Sequence, residues 1–157
     1  MNGGRSAEHI RQEIVCVCHA GLDSRRFRVE TVRRLREVIP VDVSFFATAD
    51  PATLLFTSAV VDDILAQAPP QFVENEFLKD DSVKFARLAS GSSPVDSLGA
   101  ATKGQLIHSP RYQEILAPMD LGDELRAALV VAPSAGASCA CTASGLALTS
   151  RLPRRPF

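Results

Sequence analysis

Cysteine side chains are the most chemically distinctive groups in this chain of 157 residues. They form two pairs: Cys16 and Cys18 lie in the segment CVCH, and Cys139 and Cys141 lie in the segment CAC. Four Cys or His ligands can hold zinc in a tetrahedral site, although zinc sites more often use the spacing C-x2-C than C-x-C. One hypothesis is therefore a small cytosolic metal-binding or redox protein that uses these four cysteines.

Paired carboxylates are the second feature that could do chemistry. Asp62-Asp63 and Asp80-Asp81 are adjacent in sequence, and neighbouring residues on a helix point in different directions, so neither pair converges as a general acid and base. The chain contains no Gly-rich phosphate loop, no G-x-S-x-G segment and no H-E-x-x-H segment. We therefore predict that the protein is not an enzyme and needs no cofactor.

The composition is that of an ordinary soluble globular domain, with 46% hydrophobic and 22% charged residues. A net charge of -1 gives no electrostatic case for direct binding to nucleic acid. The uncharged window 127–150 is long enough to span a bilayer, but it is rich in small residues and contains Pro133, so we expect no membrane span. The absence of a signal-peptide pattern predicts a cytoplasmic protein with reduced thiols.

Local patterns predict the elements that would position any site. The segment 24–39 has apolar residues at helical spacing, with Ser24 as the cap, and its arginines are interspersed with glutamates, which favours a solvated face over a DNA-contacting one. The segment 41–61 predicts a β-hairpin that turns at Asp50-Pro51. Inward alternation is expected through Val41, Val43 and Phe45 in the first strand, and through Leu54, Phe56 and Ser58 in the second.

Shorter elements follow the hairpin. Residues 62–89 read as short helices broken by Pro69-Pro70, and residues 91–105 as a Gly/Ser/Pro loop. Ser109-Pro110 is typical of a helix start. The segment LGDELRAALVV predicts a turn or half-helix that leads into a strand near 125–131. The fold class predicted from this order is α+β.

Five segments in this order resemble one protein group: CHAGLD, RVETVRRLREVIPVD, FFATADPATLLFTSAV, NEFLKDDSVKFARLA and SPRYQEILAPMDLGDELRAAL. Together they are similar to the N-terminal GAF-type sensory domain of a subset of bacterial LuxR-family transcriptional regulators. The resemblance covers residues 16–131 and leaves residues 1–15 as a helical or disordered extension. It implies an antiparallel sheet with helices packed on it, and a small-molecule pocket between sheet and helices.

The resemblance also implies candidate pocket residues. Phe45, Phe56, Phe77 and His108 are the positions expected to line such a pocket. The three phenylalanines are equally plain core positions, and a structural or exposed role is the alternative for His108.

The end of the chain departs from the family pattern. Shifting the reading frame of the codons by one base permits W-G-V-L-C-L-H-R across residues 135–143 and D-F-T-P-A-E across 148–154, which are segments that the family places there. We therefore interpret residues 132–157 as an out-of-frame, mostly disordered tail. An incomplete GAF-like domain would lack its last strands and closing helix, leaving a sheet edge and an apolar face uncovered.

These expectations combine into one functional hypothesis. The chain is predicted to be a small-molecule-sensing or protein-interaction regulatory domain of a LuxR-type regulator, truncated before its DNA-binding domain. Its expected partners are a small-molecule effector and, through a homodimer or heterodimer, other copies or intact regulators. Truncation predicts marginal stability and a regulatory function that is reduced or absent.

Overall fold

The computed structural model describes residues 6–66, 70–130 and 143–151. The chain divides into two compact units, Met1–Val41 and Asp42–Phe157.

The first unit is a helical hairpin of α1 (Ala7–Cys18) and α2 (Ser24–Leu35). The Ser6 hydroxyl accepts a hydrogen bond from the backbone N–H of His9, which satisfies one free donor at the start of α1. The predicted cap Ser24 is wrong by one residue: the Asp23 carboxylate accepts from the N–H of Arg26 at 2.9 Å and caps α2 instead. Because α1 continues through Cys18, the predicted boundary between residues 15 and 16 falls inside a helix.

The second unit is built on a five-stranded antiparallel sheet with the strand order β2-β1-β5-β4-β3. Its strands are β1 (Val43–Ala49), β2 (Phe56–Val61), β3 (Val95–Ser97), β4 (Leu121–Val130) and β5 (Ala143–Arg151). An antiparallel sheet combined with helices confirms the predicted α+β class.

Short helices connect the strands of the second unit. They are α3 (Asp63–Ala66), α4 (Gln71–Phe77), α5 (Phe85–Ser90) and α6 (Leu98–Ala101), followed by a π-helix (Tyr112–Leu116) between two 3-10 helices (Leu106–His108 and Ala117–Met119). Helices and strands share one hydrophobic core, whose buried members include Val43, Phe45, Phe72, Leu88, Leu98, Leu116 and Leu121.

The predicted β-hairpin is confirmed as β1 and β2. The carboxylate of Asp50 accepts hydrogen bonds from the N–H groups of Ala52 and Thr53, which fixes the turn. The predicted inward position of Ser58 is wrong because the register shifts between Thr48 and Ala49, so that Thr48 pairs with Ser58 but Ala49 pairs with Phe56. This bulge returns Phe56 to the core side and leaves Ser58 exposed.

Two other predicted segments differ from the structure. The loop predicted over 91–105 contains β3 and α6, which the hydroxyl of Ser97 caps by accepting from the N–H of Ala100. The turn or half-helix predicted before residue 125 is already strand, since β4 begins at Leu121. Small and polar residues obscured the strand pattern in both places.

The expectation of a mostly disordered tail differs from the structure over residues 143–151. These residues form β5, which pairs with β1 through Val43–Thr149 and with β4 through Leu125–Leu148. The segment ASGLALTSR carries no charge before its last residue, so it can occupy the centre of the sheet. Residues 132–142 and 152–157 of the predicted tail lie outside the described residues.

Leu148 tests the central position of β5. Its side chain is 5% exposed, whereas Leu129 on β4 is 45% exposed. We expect Leu148→Ala to lower the free energy of unfolding by about 2–5 kcal/mol, because it leaves a cavity in the sheet. The matched change Leu129→Ala should cost less than about 0.5 kcal/mol. Urea unfolding followed by circular dichroism measures both, and equal effects would argue against an inserted β5.

Candidate functional site

Five phenylalanines form one aromatic cluster against the sheet of the second unit. The ring of Phe45 on β1 lies 4.8 Å from Phe72 and 5.2 Å from Phe56, measured between centroids. Phe56 lies 5.1 Å from Phe77, and Phe85 lies 5.9 Å from Phe56. Tilted pairs of this kind add about 0.5–1.5 kcal/mol each beyond burial. The structure therefore brings three sequence-predicted pocket residues, Phe45, Phe56 and Phe77, into one cluster.

The aromatic cluster reaches the surface at Phe56 and Phe77. Phe45, Phe72 and Phe85 are buried, whereas Phe56 and Phe77 are each half-buried. The residues next to these two rings in sequence or on the same helix are apolar and exposed: Leu55 precedes Phe56, Val73 lies one turn before Phe77, and Leu78 follows Phe77 with 81% of its surface exposed. We call the set Leu55, Phe56, Val73, Phe77 and Leu78 the apolar mouth.

His108, the fourth predicted pocket residue, lies elsewhere. It ends the first 3-10 helix, where its N–H donates to the carbonyl of Gln105 at 3.0 Å. Its side chain is exposed and is not among the residues packed against the hydrophobic core. This placement matches the alternative interpretation of an exposed histidine.

A buried ion pair joins the π-helix region to β4. Arg111 donates from Nε and one terminal nitrogen to both carboxylate oxygens of Glu124, at 2.5 and 2.9 Å. Both side chains are almost completely buried. The guanidinium carbon of Arg111 also lies 4.4 Å from the ring centre of Phe72. This two-pronged geometry is the strongest form of an arginine–carboxylate pair.

A second buried pair joins β4 to α4 and α5. Arg126 donates from one terminal nitrogen to Glu76 at 2.6 Å, and from the other to the carbonyl of Val83. The second oxygen of Glu76 accepts the N–H of Phe85 at 2.9 Å, which caps α5. Arg126 makes a single hydrogen bond to Glu76, and its buried Nε has no hydrogen-bond partner among the described residues. The guanidinium lies 3.8 Å from the ring centre of Phe85.

Asp81 completes the network through neutral donors. Its carboxylate accepts hydrogen bonds from the N–H groups of Ser82 and Arg111, from the hydroxyl of Ser109 and from the side-chain amide of Asn75. Asp81 therefore caps the helical turn that begins after Ser109. We call Asn75, Glu76, Asp81, Ser109, Arg111, Glu124 and Arg126 the buried polar network.

The ionisation of the network follows from its geometry. Burial opposes charge on Glu124, but the positive charges of Arg111 and Arg126 outweigh it and lower the pKa of Glu124 below its ordinary 4.5. Burial likewise opposes charge on Asp81, yet the hydrogen bonds from Arg111, Ser82 and their neighbours lower its pKa. The pKa of Arg126 is lowered, first by burial and then by the charge of Arg111.

Sequence reasoning did not predict this network. In the sequence, Asp81 stands out only as half of an adjacent carboxylate pair and Ser109 only as a helix start, while the other network residues lie in segments that resemble the GAF-type family. One signal was available: Glu124 and Arg126 alternate with Leu125 and Ala127. A strand with two charges on one face is usually placed facing water, and only the fold shows that each charge finds a buried partner.

Two of the four cysteines considered as alternative metal ligands lie among the described residues. Cys16 and Cys18 are exposed free thiols on α1, and residues two apart on an α-helix point roughly 200° away from each other. Cys139 and Cys141 lie outside the described residues. Over residues 6–66, 70–130 and 143–151, no group of three or more His, Cys, Asp or Glu side chains is arranged to hold a metal ion.

The helical hairpin carries a surface groove of about 630 Å³. Val17, Leu22 and Val29 contribute apolar surface to it. Its most buried cation, Arg34, is paired with Glu13 at 2.9 Å and with Glu30 at 3.0 Å. The groove therefore offers apolar contact, but its central charge is already neutralised.

Comparisons of the chain with protein-family models, curated proteins and solved structures find no match. In the described part of the chain, no helix has the length and apolar character needed to cross a membrane.

Glu124 tests the energetic role of the buried polar network. Glu124→Gln removes the negative charge opposite Arg111 and should lower the free energy of unfolding by about 3–5 kcal/mol, because a buried cation loses its partner. Glu114 is the matched control, since it pairs with Lys79 at 2.5 Å on the surface. Glu114→Gln should cost less than about 1 kcal/mol. Chemical denaturation measures the free energy of unfolding of both variants. Similar decreases would contradict the conclusion that the buried pair of Arg111 and Glu124 contributes more to stability than the surface pair.

The lowered pKa values of Asp81 and Glu124 predict acid sensitivity. A carboxylate whose folded pKa lies below its unfolded value stabilises the fold above the unfolded value. Those ordinary values are 3.8 for Asp81 and 4.5 for Glu124. The contribution of Asp81 and Glu124 to the free energy of unfolding should therefore be constant above pH 5. It should fall as the pH drops through the lowered pKa values of the two carboxylates in the folded protein. Denaturation series at several pH values measure this, and Glu124→Gln should show a shallower acid dependence.

Proposed function

We propose that this protein is a regulatory sensory domain of the GAF type found in LuxR-family regulators, and that its effector binds at the apolar mouth. The sequence resemblance over residues 16–131 and the α+β architecture support this proposal. Its proposed location is the cytoplasm, and its role is to bind an effector rather than to contact nucleic acid directly.

The observation that carries the proposal is the half-buried contact between Phe56 and Phe77. Small-molecule sites are mostly apolar, with a few polar groups that fix orientation. The apolar mouth offers aromatic and aliphatic surface on two different elements, β2 and α4. An apolar or aromatic effector can therefore replace the ring contact between Phe56 and Phe77 by contacts with both rings.

Binding at the apolar mouth would change side-chain packing in the buried polar network. Phe56 contacts Phe85, and the ring of Phe85 lies against the guanidinium of Arg126. A displaced Phe56 ring changes the packing of Phe85, and with it the contact between Arg126 and Glu76. This chain of contacts supports a regulatory role, because it links a surface site to the position of β4.

Binding of 1-anilinonaphthalene-8-sulfonate, an aromatic fluorescent probe, tests the proposed site. The folded protein should bind the probe with increased fluorescence, and saturation at about 100 times the Kd should stabilise it by about 2.7 kcal/mol. Phe77→Lys places a charge in the apolar mouth and should raise the Kd at least about tenfold.

Val29→Lys is the matched control, because it introduces the same charge at an exposed apolar position in the groove of the helical hairpin. This variant should bind the probe like the wild-type protein. The opposite pattern, with loss of binding only in Val29→Lys, would move the site to the hairpin groove. Undiminished binding by Phe77→Lys would refute the proposed site in either case.

A further inference from the structure

Among the described residues, no strand covers the outer edge of β2. β2 lies at one end of the sheet order, where it pairs with β1 on its inner side. Charged residues and prolines commonly keep sheet edges from pairing with other chains. The sequence of β2, FTSAVV, contains neither. Thr57, Ser58 and Ala59 are exposed. An edge of this kind presents backbone donors and acceptors to a second chain.

The register identifies which backbone groups face outward. The N–H of Asp62 donates to the carbonyl of Ser44 at 3.1 Å, and Val60 pairs with Phe46 two residues along. Residues of an antiparallel pair bond to the same neighbour at every second position. Val60 therefore bonds toward β1, whereas the N–H and C=O groups of Ala59 and Val61 point to the outer edge.

We propose that the β2 edge pairs with the β2 edge of a second copy of this chain, antiparallel and about a two-fold axis at Val60. Ala59 of each copy then lies opposite Val61 of the other, and the two residue pairs exchange four backbone hydrogen bonds. Val60 faces its own counterpart across the axis. Such an isologous contact uses one surface twice and closes as a dimer.

The charges flanking β2 favour a second copy as the occupant. In this register Asp62 of one chain, directly after β2, lies opposite Ser58 of the other. Each carboxylate therefore meets a residue with a hydroxyl group rather than another carboxylate, and like charges directly opposite each other would destabilise the pairing. The strand is thus compatible with its own copy in both backbone pattern and charge.

The size of the contact predicts a weak dimer. The register shift beside Thr48 interrupts regular pairing near Thr57 and leaves Ser58–Val61 as the regular part of the edge. Four residues per chain bury less than the roughly 1,200 Å² typical of stable interfaces. Association should therefore depend on protein concentration.

Introducing a charge at Val60 tests the proposal, because Val60 of one copy faces Val60 of the other across the two-fold axis. Sedimentation of the full chain over a concentration series should show a reversible monomer–dimer equilibrium for the wild-type protein. Val60→Lys alone and Val60→Glu alone should each raise the dimer Kd at least about tenfold, because like charges then face each other. An equimolar mixture of the two variants should restore a one-to-one dimer.

The mixture separates loss of pairing from loss of folding, since two misfolded variants would not restore a dimer. Val95→Lys on β3, at the opposite edge of the sheet, is the matched control and should leave the wild-type equilibrium unchanged. A wild-type protein that stays monomeric throughout the series would overturn the proposal. So would a mixture that stays monomeric, or a Val95→Lys variant that weakens the dimer as much as Val60→Lys.

Discussion

Two arginine side chains inside the second unit constrain the rest of its structure. A guanidinium group remains charged at any ordinary pH, so it can be buried only where carboxylates and carbonyl groups meet it. Arg111 requires Glu124, and Arg126 requires Glu76 and the carbonyl of Val83. These partners lie on α4, before α5 and on β4. The buried ion pairs form only when α4, the segment before α5 and β4 are packed together. This requirement favours the observed packing over other compact arrangements of the chain.

The same cations connect the polar and aromatic parts of the core. Arg111 stacks on Phe72 and Arg126 stacks on Phe85, while both rings contact Phe45. The polar network and the aromatic cluster are consequently one packed layer under the sheet rather than two separate sites. The ring of Phe85 lies against both the half-buried Phe56 and the guanidinium of Arg126.

Sequence patterns predicted the parts of this fold that depend on local chemistry. The hairpin follows from β-branched and aromatic residues around Asp50-Pro51, and the helical turn after Ser109 follows from its hydroxyl and Pro110. The family resemblance predicts that Phe45, Phe56 and Phe77 line one pocket, and the structure places their rings in one aromatic cluster. The buried polar network depends instead on partners up to 50 residues apart, which no local pattern reveals. β5 escaped prediction because its small residues form a strand only between β1 and β4.

The position of β5 also sets the order in which the sheet can assemble. Val43 on β1 pairs with Thr149, which lies 106 residues later in the chain. During synthesis β1 and β4 both emerge before β5, which lies between them in the sheet. Their inner edges therefore stay unpaired until β5 is available. Contacts of such long sequence separation slow folding, because the chain must close a large loop before they form. The growing chain therefore carries two unpaired inner strand edges until β5 emerges, and unpaired edges of this kind are prone to mispairing.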